Sequence, residues 1–167
     1  FGLQPDGKIV CSGNLGLWGT GRRIFRLNPD GTLDSSFANA AWNSTSFDIN
    51  NLIFDKQGRI YLAGQFDDYN GIQRGGILRL KPNGTLDSAY NPINGPTGGT
   101  FIRDIMLQPD GKLVALCYYS SQFVTRGNVT RKICFRFFPD GSLDTSMNAN
   151  GMFHPTENYN LGQLPQK

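Results

Sequence analysis

The 167-residue chain has one histidine, His154, and one glutamate, Glu157, both close to its C-terminal end. A Ser-His or Cys-His nucleophile system has a single imidazole to draw on, and a histidine-based metal site has too few ligands. Charge is also scarce: Asp, Glu, Lys and Arg make up 17% of residues, sixteen basic against thirteen acidic. The basic residues are scattered one or two at a time and form no stripe, so nucleic acid is not an expected partner. No apolar run approaches the roughly 18 residues that a membrane helix needs, and no signal-peptide pattern is seen. Cysteine is limited to Cys11, Cys117 and Cys134. An odd number at irregular spacing fits neither a disulfide framework nor a zinc site. Buried thiols on strands are expected instead, with one bridge between Cys117 and Cys134 left open. Helical periodicity is missing from every stretch of ten or more residues, which points to an all-β chain.

What is present is repetition. Asn28-Pro29-Asp30-Gly31-Thr32-Leu33-Asp34 returns as Lys81-Pro82-Asn83-Gly84-Thr85-Leu86-Asp87 and as Phe138-Pro139-Asp140-Gly141-Ser142-Leu143-Asp144. A second motif precedes each copy, with turn glycines at Gly7, Gly58 and Gly111, spaced 51 and 53 residues apart. Periods of this size mean solenoids or propellers. A Pro-Asp-Gly turn suits a three-residue hairpin loop, because Pro presets φ and Gly takes the left-handed position of the bulge. That turn fixes register. Leu27 then faces Leu33 and Arg26 faces Asp34; Leu80 faces Leu86 and Arg79 faces Asp87; Phe137 faces Leu143 and Arg136 faces Asp144. The glycines Gly31, Gly84 and Gly141 shape these turns. A ring of three arginines could bind a ligand, but the expected role is a cross-strand ion pair worth a few tenths to about 1 kcal/mol.

Each repeat therefore reads as four antiparallel strands, in the second repeat about 49–54, 59–64, 76–81 and 85–88. Four short strands at this period suggest propeller blades. The fold expected is an all-β segment of three four-stranded blades, part of a larger or oligomer-completed propeller. Blade 1 covers 1–40 with its first strand truncated, blade 2 covers 41–92 and blade 3 covers 93–153. Residues 154–167 form a tail or a link to the next element. Phe1 falls inside an expected strand, as in a fragment, a processed product or the ordered part of a longer chain.

The motifs Leu3 to Gly13 and Leu27 to Phe37 resemble the signature of the delta-sixty repeat family of β-propellers. Repeat two keeps Ala63-Gly64 but has Asp55-Lys56-Gln57-Gly58 at its first turn. Repeat three has Leu116-Cys117 in place of Ala-Gly, and Met147 in place of Phe. The resemblance covers about 1–40, 49–92 and 101–153. It implies a propeller of extracellular, cell-surface or virion-associated proteins and transfers little chemistry.

In such a blade the Pro-Asp-Gly turns share one face, and the irregular loops share the other. Binding residues gather on loops of this kind. They carry Trp18, Trp42, Phe66, Asp67, Asp68, Tyr69, Arg74, Tyr118, Tyr119 and Arg126. Aromatic rings beside carboxylates are what a sugar site uses; the alternative for each ring is a wedge between neighbouring blades. Asp67-Asp68 lacks the further oxygen ligands of a cation site and reads as solvated loop acids. A carboxylate pair drawn from Asp48, Asp67, Asp68 and Asp104 could serve a glycosidase, but no spacing favours it. Gly19-Thr20-Gly21 lacks the Lys-Ser/Thr of a phosphate loop. The glycosylation patterns at Asn43, Asn83 and Asn128 are discounted, the second lying inside a structural turn. No catalytic residue, metal or cofactor is expected. The expected function is a non-enzymatic scaffold and recognition module. Its partners are other propeller blades of the same or another chain and a surface glycan or protein. A lectin-like propeller is the second reading and a glycoside-acting enzyme the third.

Overall fold

The computed structural model describes residues 1–13, 24–38, 48–66, 68–69, 72–92, 101–118, 124–126, 129–131 and 134–148. The first sheet holds β1 (Gly2–Leu3), β2 (Ile9–Ser12) and β3 (Ile24–Leu27) in the order β1-β2-β3. In the second repeat come β4 (Asp48–Phe54) and β5 (Ile60–Gln65), then the small hairpin β6 (Asp68–Tyr69) and β7 (Ile72–Gln73), then β8 (Ile77–Leu80). The third repeat runs β9 (Phe101–Leu107), β10 (Leu113–Tyr118), the hairpin β11 (Val124–Arg126) and β12 (Val129–Arg131), and β13 (Cys134–Phe137). The second sheet is β4-β5-β8 and the third β9-β10-β13, each antiparallel throughout.

The six turns built on Gly7, Gly31, Gly58, Gly84, Gly111 and Gly141 have one geometry, because their residues impose it. These glycines have φ between 73° and 89°, the left-handed region that glycine enters without steric cost. Each glycine N–H donates back to the residue three before it, as Gly31 does to Asn28 O at 2.9 Å. In the second turn of every repeat the Asp or Asn side chain accepts the N–H two residues on: Asp30 from Thr32, Asn83 from Thr85, Asp140 from Ser142.

Leu27 pairs with Leu33, Leu80 with Leu86, and Phe137 with Leu143, the register that the turn dictates. These pairings are isolated bridges, however, and among the described residues each of the three stacked sheets has three strands where four were expected. The reason is the aspartate one residue further on. Asp34 Oδ1 accepts the N–H and Oγ of Ser36, and Asp144 Oδ1 those of Ser146. Capping a new turn in this way bends the chain off the sheet after a single bridge.

The sheets stack face to face. Val10, Ile24 and Phe37 pack on Ile60, Leu62, Leu78 and Leu80 of the second sheet. From the opposite face of that sheet, Tyr61, Ala63, Ile77 and Tyr90 pack on Ile102, Leu113, Ala115, Phe135 and Phe137. The second sheet is thus covered on both sides, and Ile77–Leu80 is buried at every position. None of the three cysteines is in a disulfide. Cys134 sits opposite Leu116, while Cys117 joins the cluster that faces the second sheet. The two thiols leave opposite faces of the third sheet, which explains why no bridge forms.

Candidate functional site

The charged residues of the turn motif build joints between sheets. Arg26 Nε donates to Asp34 Oδ2 at 2.8 Å, and its Nη1 crosses to the second repeat to donate to Pro82 O at 2.7 Å. Arg79 repeats the arrangement, with Nε on Asp87 Oδ2 at 2.7 Å and Nη1 on Pro139 O of the third repeat at 2.8 Å. Each guanidinium lies over the aromatic ring that follows its aspartate, 4.8 Å from the centre of Phe37 or Tyr90. Phe37 in turn occupies the space where a Cβ on Gly84 would stand, with ring atoms 2.8–2.9 Å from it. The chain also bonds directly across, Ala38 N–H to Asn83 O and Asn91 N–H to Asp140 O, both at 2.9 Å. The prolyl carbonyls and the Phe37/Tyr90 wedge were not singled out from sequence. The aromatic residue three places after the aspartate was the available signal.

The electrostatics match. Hydrogen bonds from Lys8 and Ser36 hold the Asp34 carboxyl far below the usual carboxylate range. Burial alone would raise Asp144, but hydrogen bonds from Ser146 and Arg136 outweigh it and lower its pKa to about 2. Arg136 donates to Asp144 Oδ2 at 2.9 Å as its two counterparts do.

The loop-face candidates are only partly brought together. Trp18, Trp42, Asp67 and Tyr119 lie outside the described residues. The backbone places Asp68 on β6, Tyr118 at the end of β10 and Arg126 on β11. Tyr69 and Arg74, expected at the surface, are buried, each 4% exposed. Tyr69 packs beside Phe66 in the cluster between the first two sheets, and burial pushes its phenol up to about 12. Arg74 Nη1 donates to Asn91 Oδ1 at 3.4 Å, and burial lowers its pKa. Asp104 accepts hydrogen bonds from Asn51 Nδ2 and from the Ile105 N–H. Among the described residues no group of three His, Cys, Asp or Glu could hold a metal ion.

One cleft, of about 580 Å³, opens on the turn side between the second and third repeats. Its lining includes Asp55, Arg59, Tyr61, Gln108 and Asp110. The Arg59 and Asp55 side chains are paired at 2.5 Å along one wall.

Three stacked antiparallel sheets, joined by the same residues each time, define a partial β-propeller. The family model of a β-propeller domain of unknown function (DUF5122) matches residues 4–37, 58–90 and 108–146, and the chain belongs to that family. No curated protein and no solved structure matched the chain.

Proposed function

We propose that the protein is a non-enzymatic scaffold and recognition module, with repeats of the delta-sixty type. It belongs to an extracellular, cell-surface or virion-associated structural protein and is part of a larger propeller, since closed propellers have about four to eight blades. It contacts its partner through the loops at 14–23, 38–48, 65–75, 91–100 and 118–131, on the face opposite the Pro-Asp-Gly turns. The observation that carries this reading is the use of the turn motif. Arg26–Asp34 and Arg79–Asp87 are ion pairs within the two joints, and Arg136–Asp144 repeats the pair on the third sheet. The repeated residues are spent on assembly, which leaves recognition to the residues that differ between repeats.

An array of surface glycans and immobilised extracellular proteins tests it. Binding is expected to disappear when loop 65–75 is replaced by a Gly-Ser linker and to survive Lys56→Ser and Lys81→Ser on the exposed turn side. Binding that follows the lysines would place the contact on the wrong face. Glycan-only binding would favour the lectin reading. Turnover of aryl glycosides that is lost in Asp67→Asn or Asp68→Asn would establish an enzyme.

A further inference from the structure

Among the described residues the stack leaves two faces uncovered, and they are the two halves of the joint it already makes twice. The face of the first sheet turned away from the second carries Leu3, Ile9, Cys11, Phe25, Leu27 and Leu33. Ile9, Cys11, Phe25 and Leu27 are half-buried, whereas their counterparts Ile60, Leu62, Leu78 and Leu80 are 0% exposed; Leu3 is 67% and Leu33 43% exposed, against half-buried Phe54 and Leu86. Gly2 faces Phe54 of the second sheet, so alternation turns Phe1 and Leu3 outward; Phe1 is 93% exposed. At the other end, the third sheet presents Met106 and Leu116, 61% and 42% exposed, beside Arg136.

Polar groups tell the same story. At the first joint Arg26 Nη1 donates to Gln4 Oε1 at 3.1 Å as well as to Pro82 O, and Gln4 Nε2 reaches that same carbonyl at 3.4 Å. Gln108 and Arg136 hold the equivalent positions in the third repeat. Gln108 Oε1 is buried without a hydrogen-bond partner. The Arg136 side chain is 22% exposed, against 8% for Arg26 and 3% for Arg79. Among the described residues Arg136 bonds only its own aspartate. A buried amide oxygen left unpaired is costly, and a prolyl turn docked here would draw Arg136 into the arrangement that satisfies Gln4. The missing turn exists on the opposite end. A Cβ on Gly31 would meet nothing within 4 Å, whereas one on Gly84 would meet Phe37 and one on Gly141 would meet the Asn91 backbone.

We infer that the uncovered face of the third sheet, with Gln108 and Arg136, is a docking site for the Asn28–Leu33 turn of a second copy of this chain. Two copies joined head to tail at both ends supply six blades, within the range of closed propellers, and the joint is heterologous but closes on itself. This rests on the larger-propeller part of the proposed function and is independent of what the loops bind.

Sedimentation equilibrium of the 167-residue chain tests it. The expected result is a dimer at micromolar concentration. Leu33→Glu and Leu116→Asp, both at exposed positions, are each expected to weaken association at least tenfold; Leu3→Glu replaces the first if it fails to fold. An equimolar mixture of the two variants regains one intact joint and forms a heterodimer. A native chain that stays monomeric to about 100 µM overturns the proposal. So does a dimer that survives Leu116→Asp, because it would be built from the first-sheet face alone. Neither result touches the loop-binding assay.

Discussion

Replacing Arg79 by Ala removes the centre of the joint between the second and third repeats. Arg79 is 2% exposed. Its side chain bonds Asp87 at 2.7 Å, Tyr61 Oη at 3.1 Å and Pro139 O at 2.8 Å, and covers the Tyr90 ring. The substitution strands Asp87, which is 6% exposed and among the described residues keeps the Ala89 N–H at 3.2 Å. Breaking a buried pair from one side costs about 3–5 kcal/mol. The lost donor to Pro139 O belongs within that sum, because both losses follow from one cavity. At about 1.4 kcal/mol per tenfold, the folded-to-unfolded ratio falls by two to nearly four powers of ten. Urea unfolding followed by fluorescence measures it. With a slope of about 2 kcal/mol per molar, the midpoint shifts by roughly 1.5–2.5 M. Arg59→Ala is the control: its side chain is 32% exposed beside Asp55, and its loss costs about 0–1 kcal/mol. A loss below about 1 kcal/mol for Arg79→Ala, equal to the control, would refute the buried cross-repeat role.

Two further outcomes follow from the turns. Gly31→Ala and Gly84→Ala both force a side chain onto φ near +85°, costing roughly 1–2 kcal/mol. Only Gly84→Ala also drives into the Phe37 ring, so urea unfolding in the monomeric Leu33→Glu background should show a further loss of about 1–3 kcal/mol; equal losses would mean that Phe37 does not seat there. Asp144 is lowered from 3.8 to about 2. The unfolded chain then binds the proton more tightly, so this contribution is complete above about pH 4 and is lost as pH falls toward 2; in Asp144→Asn thermal unfolding should lack this share of the acid destabilisation and keep the share from Asp34, whose carboxyl is also held low.

Register was legible because the Pro-Asp/Asn-Gly turn admits one hairpin geometry, and three copies each predicted an apolar pair (Leu–Leu twice, Phe137–Leu143 once) and an Arg–Asp pair. The strand count was not. Asp34, Asp87 and Asp144 look like strand residues in the alternation, but their carboxylates cap the next turn and reduce the fourth strand to one bridge. The weight of the Arg–Asp pair was also misjudged. A surface pair is the natural reading of Arg on the face opposite Leu, whereas stacking buries that face as well. The carbonyl that anchors Arg26 lies 56 residues ahead and that for Arg79 lies 60 ahead, so no pattern inside one repeat reveals it. Tyr69 and Arg74 fall in the loop between the second and third strands of the expected blade, and that position does not distinguish a ring that meets a ligand from one that packs into the core between sheets.

The third repeat departs from the other two at the wedge, and the departure sharpens the docking site. Phe37 is 2% and Tyr90 1% exposed, each filling a neighbouring repeat beneath its arginine. Met147 holds that position in the 3₁₀ turn Thr145–Asn148 and is half-buried. Methionine is flexible and adapts to an incompletely specified surface, whereas an aromatic ring under Arg136 would restore the stacking seen at the other two joints. A cation–π contact contributes about 0.5–1 kcal/mol when exposed and about 2 when desolvated. If the Gly31 notch of a second copy receives this side chain, Met147→Phe should tighten association by about 2- to 30-fold in sedimentation equilibrium. Combining it with Gly31→Ala, which fills the notch, should abolish that gain. Tightening that persists with the notch filled would show that the wedge is seated elsewhere.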